Sequence, residues 1–543
     1  MRFPSYSLLP FLLALLLAAP LSAQTATLLD INPGSGDSLP EGFTQAGGLL
    51  YFSADDGTNG RELWVSDGTL VGTRLVTNIA PGSDGSFPQE FAAFDGQVYF
   101  TANDGTNGFE LWTSDGTAEG TRLIKDIRPG RAGGSIEYLT EAGGKLFFRA
   151  NDGSNGIELW VSDGTTEGTK LINIRVGGSN SSPTELTAAG GQLFFSAFGD
   201  VEEGRELWIS DGTALGTRLI ADIYPGSTAG DPEDLVAFGD EVYFQARDVD
   251  TEYELWSSTS QGTRLVRDIR ADGSGSLSSL TVAGGKIFFV ADDGPNGFEL
   301  WVSDGTNAGT IQVADINPSD SSNPSQLTAV GDKLFFRAND SVNGFELWAS
   351  DGTAEGTMLV ADINPDGSSL LEEITEVGEQ IYFSADGGTN GRELWVSDGT
   401  AEGTMLAADI NPSGDSAPGE LVEFNGKLFF SADNGDNGRE LWTLDSTPTP
   451  TETGQLASLA LSAWPNPAAD GHIRVHLNVT TPQPVQIALY DVLGRRVTVL
   501  FEDHVAPGSP ASVTLPRDLS SGIYVVHAEG VGGARTIRVT IAG

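Results

Sequence analysis

Residues 62–69 read ELWVSDGT. The stretch returns as ELWTSDGT from Glu110, ELWVSDGT from Glu158, ELWISDGT from Glu206, ELWVSDGT from Glu299, ELWASDGT from Glu346 and ELWVSDGT from Glu393. Two degenerate copies, ELWSSTSQGT from Glu254 and ELWTLDST from Glu440, complete a set of nine. The tryptophans Trp64, Trp112, Trp160, Trp208, Trp256, Trp301, Trp348, Trp395 and Trp442 are separated by 48, 48, 48, 48, 45, 47, 47 and 47 residues. A fixed period in this range marks a repeat architecture, each repeat being one supersecondary unit that buries its faces against its neighbours.

The unit around the third copy shows what is repeated. TRLIKDI (121–127) alternates and is β-branched, so it predicts a strand; RPGRAGGS is a loop. IEYLTEA (136–142) predicts a short strand, Gly143-Gly144 a tight turn, KLFFRA (145–150) an apolar strand, NDGSNG (151–156) a second turn and IELWVS (157–162) a further strand. KLFF and ELWV are apolar on both faces, which calls for sheets packed on both sides. Four short strands per period, with no helical pattern, predict a β-propeller.

The ends of the array fit a closed ring. The first unit begins at the outer-strand sequence TATLLDI (25–31), and the last stops just after ELWTL (440–444). One blade would take its outer strand from the N-terminal side and its other three from the C-terminal side, leaving no open edge. The expected fold is all-β: a propeller of nine four-stranded blades over 24–445, then a small β-sandwich. Nine exceeds the usual range of about four to eight blades. An eight-bladed ring with a stray unit and an open superhelical array are the alternatives. The units resemble the bacterial ELWxxDGT repeat of exported proteins, and this resemblance, spanning 26–445, implies a propeller and is nearly silent on activity.

Composition narrows the function classes. The formal net charge is −46 with a pI near 4.1. Such a surface repels nucleic acid and anionic membranes and favours solubility. There is no cysteine, which excludes a disulfide framework, a thiolate metal site and a Cys nucleophile. Residues 1–23 carry Arg2, the apolar run 8–17 and small residues before Gln24, the pattern of a secretory signal peptide cleaved after Ala23. No later segment approaches the ~20 apolar residues of a membrane-spanning helix.

Several residues invite a chemical reading. Asp-Gly-Thr recurs at Asp67, Asp115, Asp163, Asp211, Asp304, Asp351 and Asp398. Asp and Gly suit a tight turn in which the carboxylate satisfies backbone amides, a stronger reading than a ring of catalytic acids. Each motif Glu sits within a strand, where a buried carboxylate must be paired. The histidines His472, His476, His504 and His527 all lie outside the repeats, so a Ser-His-Asp triad within the array is excluded. A glycosidase needs only two carboxylates about 5–10 Å apart, and no spacing selects a pair. The turns DDGTNG (55–60), NDGTNG (103–108), NDGSNG (151–156) and DDGPNG (292–297) cluster Asp and Asn oxygens with Gly. Calcium takes such oxygens, which makes Asp55, Asp104, Asn107, Asp152, Asn155, Asp293 and Asn296 its candidate ligands. The pattern lacks the closing Glu of an EF-hand, and turn chemistry alone accounts for these residues. Ligand-binding candidates are residues that break the repeat: Arg149 and Arg337, where other units have Ser53, Thr101, Ser196 or Gln245, and Arg131 in its loop. FGDVEEG (198–204) and DVDTEY (248–253) also depart from the turn pattern. The turns and the PGS-rich loops should emerge on one face of the ring.

Beyond Asp445 the composition changes. STPTPTETGQ (446–455) reads as an extended Pro/Thr linker. Residues 446–543 carry six Arg against seven Asp plus Glu, a net of −1 that leaves −45 before them. Strands are predicted at 472–479, 485–491, 511–516, 522–529 and 535–541, a β-sandwich over 456–543. WPNP (Trp464, Pro465, Asn466, Pro467), YDVLGRRV (Tyr490, Asp491, Gly494, Arg495) and LSSGIYVVHAEG (with Gly522 and Tyr524) closely resemble the type A C-terminal sorting domain of the type IX secretion system. Most members of that family have Tyr where Trp464 stands. The resemblance implies periplasmic export, engagement of the type IX machinery, and release or attachment at the cell surface.

The sequence thus reads as a secreted or surface-displayed, non-catalytic repeat protein that binds a protein or glycan through its loop-rich face, with no nucleic-acid partner. A polysaccharide-active enzyme using paired Asp/Glu and a passive surface-layer protein are the other readings.

Overall fold

The computed structural model describes residues 26–175, 177–199 and 204–445, and in the tail 459–464, 474–479, 483–491, 495–505, 511–516, 519, 522–530 and 533–541. Residues 1–25, where a signal peptide is expected, residues 446–455, where a linker is expected, Pro465, Asn466, Pro467 and Gly494 lie outside the described residues, as does part of FGDVEEG. The chain divides into Thr25–Ser446 and a second unit holding Thr447–Gly543.

The first unit consists of nine four-stranded antiparallel sheets. In blade 1 the strands run, from inner to outer, Glu41–Ala46, Leu49–Asp55, Arg61–Ser66 and Arg74–Thr77. The inner strands of successive blades are neighbours all the way round, including blade 9 (Gly419–Phe424) against blade 1, so the ring is closed. The ninth sheet takes its outer strand, Thr27–Leu29, from the N-terminal side, with Thr27 opposite Thr443 and Leu29 opposite Leu441. The expected interlock is therefore present, with nine blades rather than eight.

Third-blade boundaries shift where the chain has other work to do. The outer strand spans Lys170–Ile172 in blade 3 and Arg122–Lys125 in blade 2. TRLIKDI leaves the sheet before its end because the Ile127 amide turns inward to a carboxylate, donating to Glu110 Oε2 at 2.8 Å. The inner strand is Glu137–Ala142 and the second Lys145–Asn151.

The core lies between blades. Trp64 and Phe52 of blade 1 pack with Leu29, Ile31, Phe429 and Leu441 of blade 9, and each following interface repeats the pattern. Full burial of each such side chain contributes roughly 1.5–3 kcal/mol.

The motif's polar residues hold the blade together. All nine motif Glu residues are 0% exposed. Glu62 accepts from the Ile79 amide (3.0 Å), the Ala80 amide (3.1 Å) and the Ser86 hydroxyl (2.5 Å), tying down the loop that leaves the outer strand. Those donors offset a desolvation that would otherwise be severe. Asp67 Oδ1 accepts from both the amide and the hydroxyl of Thr69. The Gly72 amide then donates to Thr69 Oγ1, and Ser66 Oγ meets Thr73 Oγ1 at 2.8 Å. A Cβ on Gly72 would lie 1.9 Å from Asp67 Oδ1, so the corner motif is really SDGTxxGT.

The tail forms a three-stranded sheet (Leu459–Trp464, Arg474–Val479, Ala511–Thr514) and a four-stranded one (Arg496–Val505, Gln483–Asp491, Gly522–Gly530, Gly533–Ile541). They share a core containing Leu477, Ile487, Leu489, Val526 and Val539. Leu459–Trp464 and Arg496–Val505 are strands that the sequence reading does not mark.

Candidate functional site: the rim of the central channel

The chain enters every inner strand through a bulge. The register between the inner and second strands shifts just after the first inner-strand residue, in blade 1 between Glu41 and Thr44. The second inner-strand residue takes a positive φ in all nine blades: Gly42, Glu90, Tyr138, Glu185, Asp234, Ser279, Gln326, Glu373 and Glu420, with values from 53° to 71°. Side chains rarely adopt this conformation, and bulges re-aim side chains at functional edges. Here several reach the next blade. Glu420 Oε2 accepts from the Gly42 amide at 2.9 Å, Glu90 Oε2 from Tyr138 at 2.8 Å, Glu185 Oε2 from Leu235 at 3.3 Å and Asp234 Oδ2 from Leu280 at 3.0 Å. These acids stitch the rim together circumferentially.

The rim lies at the loop-bearing end. The loop after the outer strand lies against the turn between the second and third strands: Asn78 Nδ2 donates to Asn59 Oδ1, and the Ser86 amide to the Arg61 carbonyl. Turns and PGS loops thus share one face, where the bulges begin.

The arginines that break the repeat find a common place. Arg149, on a second strand, pairs with Glu137 of its inner strand. Arg61 and Arg392, on third strands, pair with the equivalent Glu41 (2.9 Å) and Glu372 (2.8 Å). Arg61 and Arg439 reach over Ser53 and Ser431, the counterparts of Arg149. The guanidinium occupies one spot and is supplied from either of two strands. Arg337 lies over Phe345 and donates to the Leu371 carbonyl at 3.5 Å. Arg131 is exposed in its loop.

The Asp/Asn turns are self-contained. Asp104 Oδ1 accepts from the Thr106 and Asn107 amides and Oδ2 from Asn107 Nδ2, each at 2.8 Å. Asp152 with Asn155 and Asp293 with Asn296 repeat this. Burial raises the Asp104 carboxyl, but the Asn107 and Thr106 donors outweigh it and hold the group below its ordinary value. Asp55 belongs to another register: it accepts from the Gly57 amide, and Asp56 is the counterpart of Asp104. Among the described residues no group of three or more His, Cys, Asp or Glu side chains is arranged to hold a metal ion.

Among the described residues, two cavities open at the rim. One of about 350 Å³ is lined by Gln89, Glu90, Phe109 and Glu137 among others. The larger, about 600 Å³, spans blades 3 to 6 and is lined by Tyr138, Thr184, Glu185, Arg205, Glu233, Asp234, Gln245, Ser278 and Ser279. Burial lowers the Arg205 pKa. Burial, then Asp231 and Glu185, raise that of Glu233, and burial raises that of Asp234. Sequence reading missed these residues. For the bulge residues among them, Tyr138, Glu185, Asp234 and Ser279, the only signal is position, second in the strand before each apolar hairpin, because the residue type is not fixed from blade to blade.

In the tail, Tyr490 meets His527 edge-on at 6.2 Å, Asp491 is paired in register with Tyr524, Gly522 opens the strand holding Tyr524, and Trp464 ends its strand. Arg495 immediately precedes the strand Arg496–Val505.

No curated protein matches the chain. One similar solved structure comes from a structural and mechanistic analysis of two prolyl endopeptidases; it is 10% identical with a TM-score of 0.38, over 83% of this chain and 55% of that one. This chain thus spans about half the length of that structure. Another is an uncharacterised protein from Listeria monocytogenes, 11% identical with a TM-score of 0.33, over 59% of this chain and 94% of that one. Residues 462–542 match the family described as the secretion system C-terminal sorting domain, so the chain carries a type IX sorting tail, which implies export to a secreted or cell-surface location.

Proposed function

We propose that this is a non-catalytic binding or adhesion protein, displayed on or released from the cell surface, that engages a protein or glycan through the loop-bearing face of the propeller. Its route would run through a signal peptide at 1–23 into the periplasm, then across the outer membrane by a type A sorting domain at 456–543. The observation that carries the binding reading is a division of labour. The recurring acids are consumed inside their own blades: each motif Glu is buried, and each SDGT Asp accepts from its own Thr, as at Asp67, Asp115 and Asp398. The side chains that differ between blades gather at the channel rim.

The test is a protein and glycan array probed with the purified secreted protein, with reducing-sugar release assayed in parallel. A specific array signal without release supports the reading. Release abolished by one carboxylate substitution would replace it with a polysaccharide-active enzyme. No signal at all would leave a passive surface-layer role. Deleting 456–543 should retain the protein in the periplasm, and surface display without that segment would refute the route.

A further inference from the structure

The ring is not uniform, and its departures from symmetry coincide. Blade 5 carries the most degenerate motif, ELWSSTSQGT, and replaces the SDGT corner with a tight hairpin in which Thr259 faces Gly262. Blades 4 and 5 also carry the two sequences that depart from the turn pattern, FGDVEEG (198–204) and DVDTEY (248–253). The cavity of about 600 Å³ opens onto this same sector. Of the four guanidinium–aromatic stacks among the described residues, three follow one another here: Arg149 over Tyr138 (4.7 Å), Arg205 over Phe198 (4.5 Å) and Arg247 over Tyr253 (5.3 Å). Arg247 is anchored by Asp231 at 3.1 Å.

The cavity wall is polar, mixed and fixed in place. Arg205 is held by Thr184 Oγ1 at 2.9 Å and by the Ser182 carbonyl at 3.0 Å. Glu185 and Asp234 are each fastened by an amide of the next blade, which leaves further lone pairs as pre-positioned acceptors. Gln245, Ser278 and Ser279 add groups that both donate and accept. Tyr138 is the one aromatic among the nine bulge residues. With Arg149 over one face of its ring, Tyr138 remains 39% exposed.

We infer that this cavity binds a segment of an uncharged oligosaccharide. The inference rests on the binding reading above and names its ligand class. Alternating donors and acceptors match the hydroxyls around a sugar ring, and a rigid exposed aromatic suits its apolar C–H face. The volume lies within the range of about 300–1,000 Å³ typical of small-ligand sites. Three carboxylates against one guanidinium in the lining, on a chain of net charge −46, disfavour acidic glycans.

The test uses the secreted protein and short oligomers of β-1,4-glucose, β-1,4-xylose and α-1,6-mannose, with a galacturonate oligomer as the charged control, in titration calorimetry. At least one uncharged oligomer should bind, and galacturonate should not. Tyr138→Asn, which tolerates the positive φ, and Glu233→Gln should each weaken binding about tenfold or more with the thermal midpoint unchanged. Gln326→Asn, the same bulge position in blade 7, outside the cavity lining, should leave binding intact. No binding by any uncharged oligomer, equal binding of galacturonate, or binding unaffected by both cavity variants would overturn the inference. A protein partner found on the array, with no oligosaccharide bound, would overturn it while leaving the wider binding reading in place.

Discussion

The backbone amide of Ile31 donates to Glu440 Oε2 at 2.8 Å, joining residues 409 positions apart. The Ser38 hydroxyl donates to the same oxygen at 2.7 Å and the Ser38 amide to Oε1 at 3.1 Å. In every other blade the motif Glu gathers donors from the loop that follows it; in blade 9 it gathers them from the N-terminal side, and so locks the ring. Glu440→Ala strands these buried donors. It should cost on the order of 3 kcal/mol, read as a lowered urea midpoint, and should expose residues 26–40 to proteolysis. An unchanged midpoint would show that the seam is held by packing alone.

Acidity should stabilise the ring. Burial pushes Glu110, Glu206, Glu254, Glu346 and Glu440 up to about 7 from 4.5. A raised folded-state value means the folded chain holds the proton more tightly. That contribution is fully present below 4.5 and is lost as pH rises through about 7. Asp104, Asp115, Asp152 and Asp163 are held below 3.8, so their contribution is present above 3.8 and lost as pH falls through their folded values. Thermal midpoints at constant ionic strength should therefore be highest between 3.8 and 4.5 and fall towards neutrality. A midpoint that climbs through pH 7 would contradict this account of the buried glutamates.

Blade 2 lacks a hydroxyl that blade 1 has. Ser86 Oγ donates to Glu62, whereas the corresponding residue near Glu110 is Gly134, where a Cβ would sit 3.0 Å from Glu110 Oε2. Gly134→Ser should supply the missing donor and reduce backbone freedom in the unfolded chain. The expected gain is about 1 kcal/mol, measured by urea unfolding, and a loss would mean that the loop cannot yield to the new Cβ.

The SDGTxxGT corner predicts a coupled pair. A Cβ on Gly120 would lie 2.0 Å from Asp115 Oδ1. Gly120→Ala should cost about 2 kcal/mol. In combination with Asp115→Ser the costs should be less than additive, because removing the carboxylate removes the clash. Additive costs in a double-mutant cycle would refute the proposed contact.

The blade was legible because its determinants recur: Trp64, Phe52 and Asp67 have counterparts one period on, and alternation set the strands. Ser86 and Gly72 recur as well, yet they lie outside the ELWxxDGT string and acquire meaning only when the loop folds back on Glu62. The rim was not legible. Its positive φ is imposed by register and by the neighbouring blade, so residues as different as Gly42, Tyr138 and Glu373 occupy it. Arg149 and Arg337 looked anomalous because a column-by-column comparison cannot see that Arg61 reaches the equivalent place from the adjacent strand. The calcium reading named Asp55, whereas the alignment of DDGTNG (55–60) with NDGTNG (103–108) already makes Asp56 the counterpart of Asp104, and the turn's hydrogen bonds follow that register.

Closure of nine blades by the N-terminal strand underlies the rim and everything inferred from it. Thr27 and Thr443 are directly opposed across the closing pair, and Cα atoms so paired lie about 4.5–5.5 Å apart, within disulfide reach. The chain has no native cysteine, so the variant carrying Thr27→Cys and Thr443→Cys gives a clean readout by mass spectrometry and non-reducing electrophoresis. A closed ring predicts a single intramolecular disulfide formed in nearly every molecule on mild oxidation. Free thiols or intermolecular dimers alone would contradict it.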